Sequence, residues 1–505
     1  MKENRYLALK NGTDVRGTAI EGVENGPVTL TDYVVSRIAT AFLLWVKERT
    51  GIANPTIAVG HDSRLSAGRI ASAVTEGIAK WGGNVVLTGL SSTPSMFMLL
   101  QDNFGADASI MITASHLPYQ KNGLKFFVKE GGLEGSDVKE ILETASLPYL
   151  YDTNTPRGTV CERSYIEKYA EGLVEKVRSA TGKDFPLAGK RILVDAGNGA
   201  GGFYVDLVLK PLGADTTGSQ FLEPDGSFPN HIPNPENAEA MQSVSEAVIA
   251  NNADFGIIFD TDVDRAGAVA PGGEEINRNR LIALISAILL GEEGGATIVT
   301  DSVTSDGLTS FIEAHGGVHH RFKRGYKNVI NESKRLNDAG VNSPLAIETS
   351  GHAALKENYF LDDGAYLVTR LLIALAKAAE EGKDLTSLIE TLPEPAEAAE
   401  VRLTFADGCD FKTLGNQVIE ALKAHAEDAP HLALAPSNYE GVRVNFDKEH
   451  GNGWLLVRMS LHEPIMPVNA ESDTAGGVKT ILKELHGFLK QYSFLNLEKL
   501  EKAIK

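Results

Sequence analysis

Two cysteines in 505 residues, Cys161 and Cys409, exclude a disulfide-stapled scaffold and a thiolate metal centre. They stand far apart and without metal-ligand spacing, which fits a reducing cytoplasm. Positive charge is scarce as well. Forty-eight Lys and Arg face 67 Asp and Glu, for a net charge of -19 with no basic block. Nucleic acid and anionic membranes are therefore not expected as partners. Long apolar runs are missing too. The longest, Leu281 to Leu290, is too short to span a bilayer and predicts a buried helix. Met1-Lys2-Glu3-Asn4-Arg5 leads into no apolar signal segment. What is present is an ordinary soluble globular mixture, 43% hydrophobic and 23% charged. A soft prior of ~150 residues per domain predicts three or four domains.

Strand-like and helix-like segments alternate through most of the chain. Thr56 to Val59 reads as a strand, Ser66 to Trp81 as a helix, and Asn84 to Leu87 as the next strand. Arg191 to Val194, Phe255 to Phe259 and Ala296 to Thr300 each precede a polar loop or a helix. This is α/β alternation. Pro148 to Pro156 is polar and turn-rich, and Pro271-Gly272-Gly273 breaks the chain again. Leu392-Pro393-Glu394-Pro395 and the Ala-Glu repeats after it read as a linker. Beyond it, Gly441 to Phe446 and Trp454 to Arg458 suggest antiparallel strands of a smaller α+β domain, closed by a helical tail from Gly476. The expected domains are 1–155, 156–272, 273–393 and 394–505.

The apolar run Ala108 to Ile112 leads into Thr113-Ala114-Ser115-His116-Leu117-Pro118, and Asn122-Gly123-Leu124-Lys125 follows. A buried strand ending there puts the Ser115 hydroxyl on a turn, with the His116 imidazole beside it and the Lys125 amine downstream. Those are parts of an activated oxygen nucleophile or a phosphate carrier. A solvated turn has the same composition.

A second constellation is Asp260-Thr261-Asp262-Val263-Asp264-Arg265, which leaves an apolar strand. Alternation in extended chain would point the three carboxylates the same way. Hard oxygen ligands of this kind suit a divalent cation, Mg²⁺ above all. An EF-hand lacks its closing spacing here, and an acidic solvated turn is the plain alternative. Glu348 and Ser350, in Glu348-Thr349-Ser350-Gly351-His352, could accept from neighbouring sugar hydroxyls. Arg458 offers a planar fork for phosphate and Ser460 a hydroxyl. Gly197-Asn198-Gly199-Ala200-Gly201-Gly202, with Glu223 downstream, satisfies a bare dinucleotide-binding pattern. A nicotinamide oxidoreductase would leave the other motifs unexplained.

The Ser115 segment resembles the phosphoserine loop of the α-D-phosphohexomutases, the superfamily of phosphoglucomutase, phosphomannomutase and phosphoglucosamine mutase. The resemblance extends over nearly the whole chain. It includes Gly12-Thr13-Asp14-Val15-Arg16-Gly17, Val59-Gly60-His61-Asp62-Ser63-Arg64, Asp195 to Gly201, Pro224-Asp225-Gly226-Ser227-Phe228-Pro229, the acidic loop, the Glu348 loop with Asp362-Asp363-Gly364, the basic Lys323-Arg324-Gly325-Tyr326-Lys327, and Arg458 to Pro464. Departures are Leu117 for Asn, Thr261 and Ile347 for Gly, Thr349 in the sugar loop, and Leu461 with His462 for small polar residues.

The resemblance implies three similar α/β domains with mixed sheets and a smaller C-terminal α+β domain around a central cleft, which closure of the fourth domain would gate. It implies that Ser115 carries the phosphate and is also a metal ligand, that Asp260, Asp262 and Asp264 hold Mg²⁺, and that Lys125 or His116 moves the proton, with Arg16 in the catalytic group. Arg64, Arg265, Lys323, Lys327, Glu348, Ser350, His352, Arg458 and Ser460 are the implied substrate-binding residues. The implied reaction shifts phosphate between the 1- and 6-positions of a hexose through a 1,6-bisphosphate, which also serves as activator. Glucose and mannose phosphates are the expected substrates. Phosphoglucosamine mutase is the alternative within the family, and a metal-dependent sugar phosphatase the alternative of another class. A monomer or homodimer is expected.

Overall fold

The computed structural model describes residues 5–22, 26–148, 155–436, 438–460 and 463–505. Leu461 and His462, and the turn-rich stretch 149–154, lie outside the described residues. The chain forms two compact units. One comprises residues 1–277 with 350–387, the other 278–349 with 388–505. Among the described residues no helix is long and apolar enough to cross a membrane.

In the first unit a mixed sheet is built around Ala108–Ile112. This strand pairs in parallel with Thr56–His61, which pairs in parallel with Asn84–Leu90. On its other side it is antiparallel to Lys121–Val128, which continues antiparallel to Asp14–Thr18. All five residues of Ala108–Ile112 are buried, as expected of an unbroken apolar run in the middle of a sheet. The helix Asp32–Thr50 covers one face and buries Ile38, Phe42 and Leu43 in the same core as Val59, Ile110 and Phe126. Thr31 caps it by accepting from Val34 N, and Gly51 ends it at φ 70°. Burying each such side chain contributes roughly 1.5–3 kcal/mol.

A second sheet of this unit pairs Phe255–Phe259 in parallel with Ile192–Asp195 and antiparallel with Ala266–Val269. The helices Ile166–Thr181 and Gly364–Glu380 pack together nearby, joined by the Tyr169 hydroxyl donating to Asp363 Oδ1 at 2.6 Å.

In the second unit, Thr297–Thr300 lies in parallel between Val318–Arg321 and Leu345–Ile347. The expected apolar helix is there as Arg278–Glu292, with Leu281 to Ala287 buried. An antiparallel sheet follows. Val442–Phe446, Gly453–Val457, Ile465–Ser472 and Glu397–Phe405 are its consecutive neighbours. The helices Phe411–Asp428 and Gly477–Leu489 share its core.

One expectation is corrected here. The Ala-Glu run is not a linker: Glu397 opens the nine-residue strand Glu397–Phe405, which pairs with Ile465–Ser472 from Glu397↔Ser472 to Thr404↔Ile465. Its first four residues are not buried, so they carry no apolar alternation to read. A partner strand distant in sequence supplies their pairing.

Candidate active site

The Ser115 loop starts where Ala108–Ile112 ends. Ser115 has φ 51°, in the left-handed region, and is 3% exposed. A serine held there is strained unless its surroundings impose it. Thr113 Oγ1 accepts from Ser115 N at 2.9 Å. Arg64 supplies the rest of the constraint. Its Nη1 donates to Pro118 O and Lys121 O, each at 2.9 Å, and its Nη2 to Leu117 O at 2.6 Å and to Ser115 O. Nε faces Asp62 Oδ2 at 3.3 Å, and both side chains are fully buried. Burial pushes the Asp62 carboxyl up and the Arg64 guanidinium down, and each is drawn back toward its charged form by the other. Arg64 therefore builds the loop, and its two terminal guanidinium nitrogens already serve protein acceptors. Leu117 contributes through its carbonyl, which any residue offers.

The acidic loop is a turn rather than extended chain. Val263 sits at φ 67°, so the three carboxylates converge by a reversal and not by strand alternation. The result is nevertheless a cluster. Asp260, Asp262 and Asp264 are all buried and bring ligand oxygens within 4.8 Å of one another. Asp260 Oδ2 accepts from Ser115 Oγ at 3.0 Å and from Arg265 Nε at 3.1 Å. Asp262 Oδ2 accepts from Thr93 Oγ1 at 2.5 Å and lies 3.1 Å from Lys125 Nζ, which also pairs with Asp264. Asp262 Oδ1 and Asp264 Oδ1 are buried without a hydrogen-bond partner.

Buried polar atoms are normally satisfied. Two unsatisfied carboxylate oxygens in a three-carboxylate turn fit a hard divalent cation such as Mg²⁺. Burial and the neighbouring Asp264 raise the Asp260 carboxyl well above the ordinary range. Asp264 is held far below it: burial works to raise it, and Lys125, His352 and Arg265 together outweigh that.

The glycine-rich turn belongs to this loop. A Cβ on Gly199 would meet Thr261 O at 2.7 Å, and Ala200 N donates to that same oxygen at 2.8 Å. Gly201 lies against Phe259 and Gly202 against Leu222 O. The space a dinucleotide phosphate would need is filled by protein.

Around this centre Arg265 donates to Asn234 Oδ1 at 2.9 Å and to His116 Nδ1 at 2.7 Å. Burial, then Arg265, pushes His116 down to about 2, so its imidazole is neutral and its Nδ1 is an acceptor. His352 pairs through Nδ1 with Asp362. Burial works to lower its pKa, and Asp362 prevails, raising it to about 9. Arg16 Nη2 pairs with Asp14 at 2.9 Å on the strand next to Lys121–Val128. Ser350 Oγ is buried with no hydrogen-bond partner. Ser115, His116, Lys125, the three aspartates, Arg64, Arg265, Arg16, Ser350 and His352 thus all fall in the first unit.

Glu348, Lys323, Lys327, Arg458 and Ser460 fall in the second. Glu348 Oε1 accepts from Gly325 N at 2.6 Å, which ties the sugar-type loop to the basic loop. Lys323 Nζ lies 6.0 Å from the Phe322 ring centre, and Lys327 lies in the first turn of Tyr326–Asp338. Arg458 Nη1 is 3.7 Å from Glu440 Oε1. Ser460 Oγ accepts from Glu463 N at 3.2 Å.

Three participants lie outside every motif quoted from the sequence. Thr93 touches the acidic loop twice, through Oγ1 and through its N donating to Asp262 O at 2.8 Å. Its only local sign is the Ser92 capping box that starts Thr93–Gln101. Asn234 and Glu440 carry no sign at all: Asn234 meets Arg265 from 31 residues away in the first unit, and Glu440 meets Ser302 and Arg324 from 138 and 116 residues away in the second.

Comparison with known proteins points to one family. Three family models match: phosphoglucomutase/phosphomannomutase alpha/beta/alpha domain I over residues 9–147, domain II over 164–273 and domain III over 277–396. The chain is 30% identical over 439 residues to a phosphomannomutase/phosphoglucomutase of Pseudomonas syringae pv. tomato, covering 86% of this chain and 87% of that one. It is 30% identical over 454 residues to a phosphoglucomutase of Neisseria gonorrhoeae, covering 90% and 92%. A crystal structure of a phosphoglucomutase/phosphomannomutase family protein from Burkholderia thailandensis superposes with a TM-score of 0.77 at 26% identity, over 97% of this chain and 98% of that one. With three such domains matched in order and a serine, a lysine and three aspartates gathered where the first two meet, the chain belongs to the phosphoglucomutase/phosphomannomutase family of the α-D-phosphohexomutase superfamily.

Proposed function

We propose that this protein is an isomerase that moves a phosphoryl group between the 1- and 6-positions of glucose or mannose phosphates, with Ser115 as the phosphate carrier. The observation that carries the reading is Ser115 Oγ, buried and 3.0 Å from Asp260, in a loop that Arg64 locks from below. Phosphoglucosamine is the weaker substrate class, since the two relatives described above are a phosphomannomutase/phosphoglucomutase and a phosphoglucomutase.

In the first half-reaction the P–O bond to Ser115 breaks and a P–O bond to the sugar hydroxyl forms, giving a hexose 1,6-bisphosphate. The hydroxyl proton has to leave as that bond forms. His116 is a poor acceptor, because its neutral imidazole already takes a hydrogen bond from Arg265 at Nδ1. The Lys125 amine is the proton-transfer group in this reading. Arg265 lies within 3.4 Å of Ser115 Oγ and offers positive charge where the serine oxygen gains negative charge. The bisphosphate then turns end for end, and its other phosphate returns to Ser115. Arg458 with Ser460 binds the phosphate that is not reacting, and Glu348 with Ser350 holds ring hydroxyls. Asp260, Asp262 and Asp264 would hold Mg²⁺, together with the Ser115 oxygen, and the ion would stabilise charge on the transferring phosphoryl group. A hexose 1,6-bisphosphate would serve as activator by restoring phosphate to Ser115. A cytoplasmic monomer or homodimer, without nucleic-acid or membrane partners, completes the reading.

The test follows phosphorus. Glucose 1-phosphate with Mg²⁺ and a trace of glucose 1,6-bisphosphate should give glucose 6-phosphate by ³¹P NMR, with almost no inorganic phosphate. Stoichiometric inorganic phosphate would make the chain a sugar phosphatase instead.

A further inference from the structure

Within the second unit, Glu440 stands where the C-terminal domain meets residues 278–349. Its two carboxylate oxygens have different tasks. Oε2 accepts from Ser302 Oγ at 2.6 Å and from Arg324 N at 3.1 Å. Oε1 faces Arg458 Nη1 at 3.7 Å, an ion pair too long for a hydrogen bond. Arg458 is 12% exposed at its side chain, and its Nε is buried without a hydrogen-bond partner. Burial works most strongly against the Arg458 charge; Glu440, Glu400 and Asp301 favour it, and Arg324 adds to the cost. Arg324 Nε is itself 3.8 Å from Asp301 Oδ2, and Asp301 also accepts from Thr349 Oγ1 at 2.9 Å.

The site therefore contains two neighbouring guanidiniums and one carboxylate at the wrong distance to finish the hydrogen bonding of Arg458. A buried guanidinium in this state is organised for an acceptor with several oxygens. We propose that Glu440 is a resident counter-anion of Arg458: it steadies the guanidinium when no phosphate is bound, competes with phosphate for it, and so keeps the clamp from holding too tightly. The inference rests on the reading of Arg458 as a phosphate-binding residue. It gives a positioning residue with a kinetic purpose. An intermediate that has to let go and rebind the other way round is trapped by a clamp that only attracts. A clamp that exchanges one anion for another grips and releases with a smaller change in free energy.

Glu440→Gln separates the two tasks. The amide oxygen can keep the Ser302 and Arg324 bonds at the Oε2 position, while the charge facing Arg458 disappears. The measurements are KM for glucose 1-phosphate and the inhibition constant of inorganic phosphate, on the full chain with Mg²⁺. Both should fall, by roughly tenfold for the loss of one close competing charge, and kcat should fall with them. Ser302→Ala loosens the same carboxylate without removing its charge and should not tighten phosphate. The proposal is overturned if Glu440→Gln leaves both constants unchanged or raises them, or if Ser302→Ala tightens phosphate as much. Arg458→Ala identifies a different failure. If it changes neither constant, the phosphate-clamp reading falls, and the role of Glu440 falls with it.

Discussion

Ser115 Oγ donates to Asp260 Oδ2 at 3.0 Å across 145 residues of chain. One loop leaves the strand Ala108–Ile112 and the other leaves Phe255–Phe259, so two sheets of the first unit aim their strand ends at one point. Substituting Ser115→Ala should abolish mutase turnover. Peptide mapping after incubation with glucose 1,6-bisphosphate should find phosphate on Ser115 in the parent and nowhere in the variant. Full activity in Ser115→Ala would remove this residue from the chemistry.

Thr93 holds Asp262 from outside the cluster, by its hydroxyl and by its backbone N–H. Partners of this kind typically contribute about 10–100-fold to metal affinity. Thr93→Val should therefore weaken Mg²⁺ binding by about tenfold or more in calorimetric titration, and turnover should return at high Mg²⁺. Asp262→Asn should weaken it further. Chelation should stop turnover altogether. A parent-like Mg²⁺ affinity in Asp262→Asn would mean that the acidic turn is not the metal site.

Arg64→Ala removes the donors of four loop carbonyls and leaves Asp62 buried without its partner. Breaking a buried pair this way costs about 3–5 kcal/mol. Urea unfolding should show that loss. Arg64→Lys, with one ammonium for a planar fork, should recover only part of it. A loss under about 1 kcal/mol for Arg64→Ala would show that the loop holds its shape without the guanidinium.

Asp363 is fully buried at the start of Gly364–Glu380. It accepts from Tyr169 Oη, from Tyr366 N and from Asn358 Nδ2. Burial raises its carboxyl from 3.8 to about 6 against the pull of those bonds. The folded chain thus keeps a proton there that the unfolded chain has already lost between about pH 4 and pH 6. This contribution to stability is fully present at low pH, falls as pH rises through that window and is flat beyond it, a change of up to about 3 kcal/mol. Asp363→Asn should flatten that part of the profile in denaturant titrations taken at each pH. An unchanged slope would assign it to another group.

The three aspartates, the Ser-His turn with its lysine, and the α/β alternation were all legible in the sequence, because each depends on neighbours within a few residues. The turn at Val263 was not. Spacing alone predicts extended chain there, and the reversal follows from packing Thr261 on Gly199 and Ala200. The strand Glu397–Phe405 was misread for a related reason. Its Ala-Glu half has no fully buried residue, and only pairing with Ile465–Ser472 makes it a strand.

By itself, the order of residues determined that a serine, a histidine and a lysine share one short segment and that three aspartates share another, since hydroxyl, amine and carboxylate chemistry is intrinsic to the side chains. Tertiary structure alone decided what each cation does. Arg64 and Arg265 both follow short acidic motifs and look alike in sequence. Folding buries both, but turns one guanidinium onto four backbone carbonyls and the other onto Asp260, Asn234 and His116. A buried charge has to find acceptors wherever the packed chain places them, and that placement depends on strands far apart in sequence.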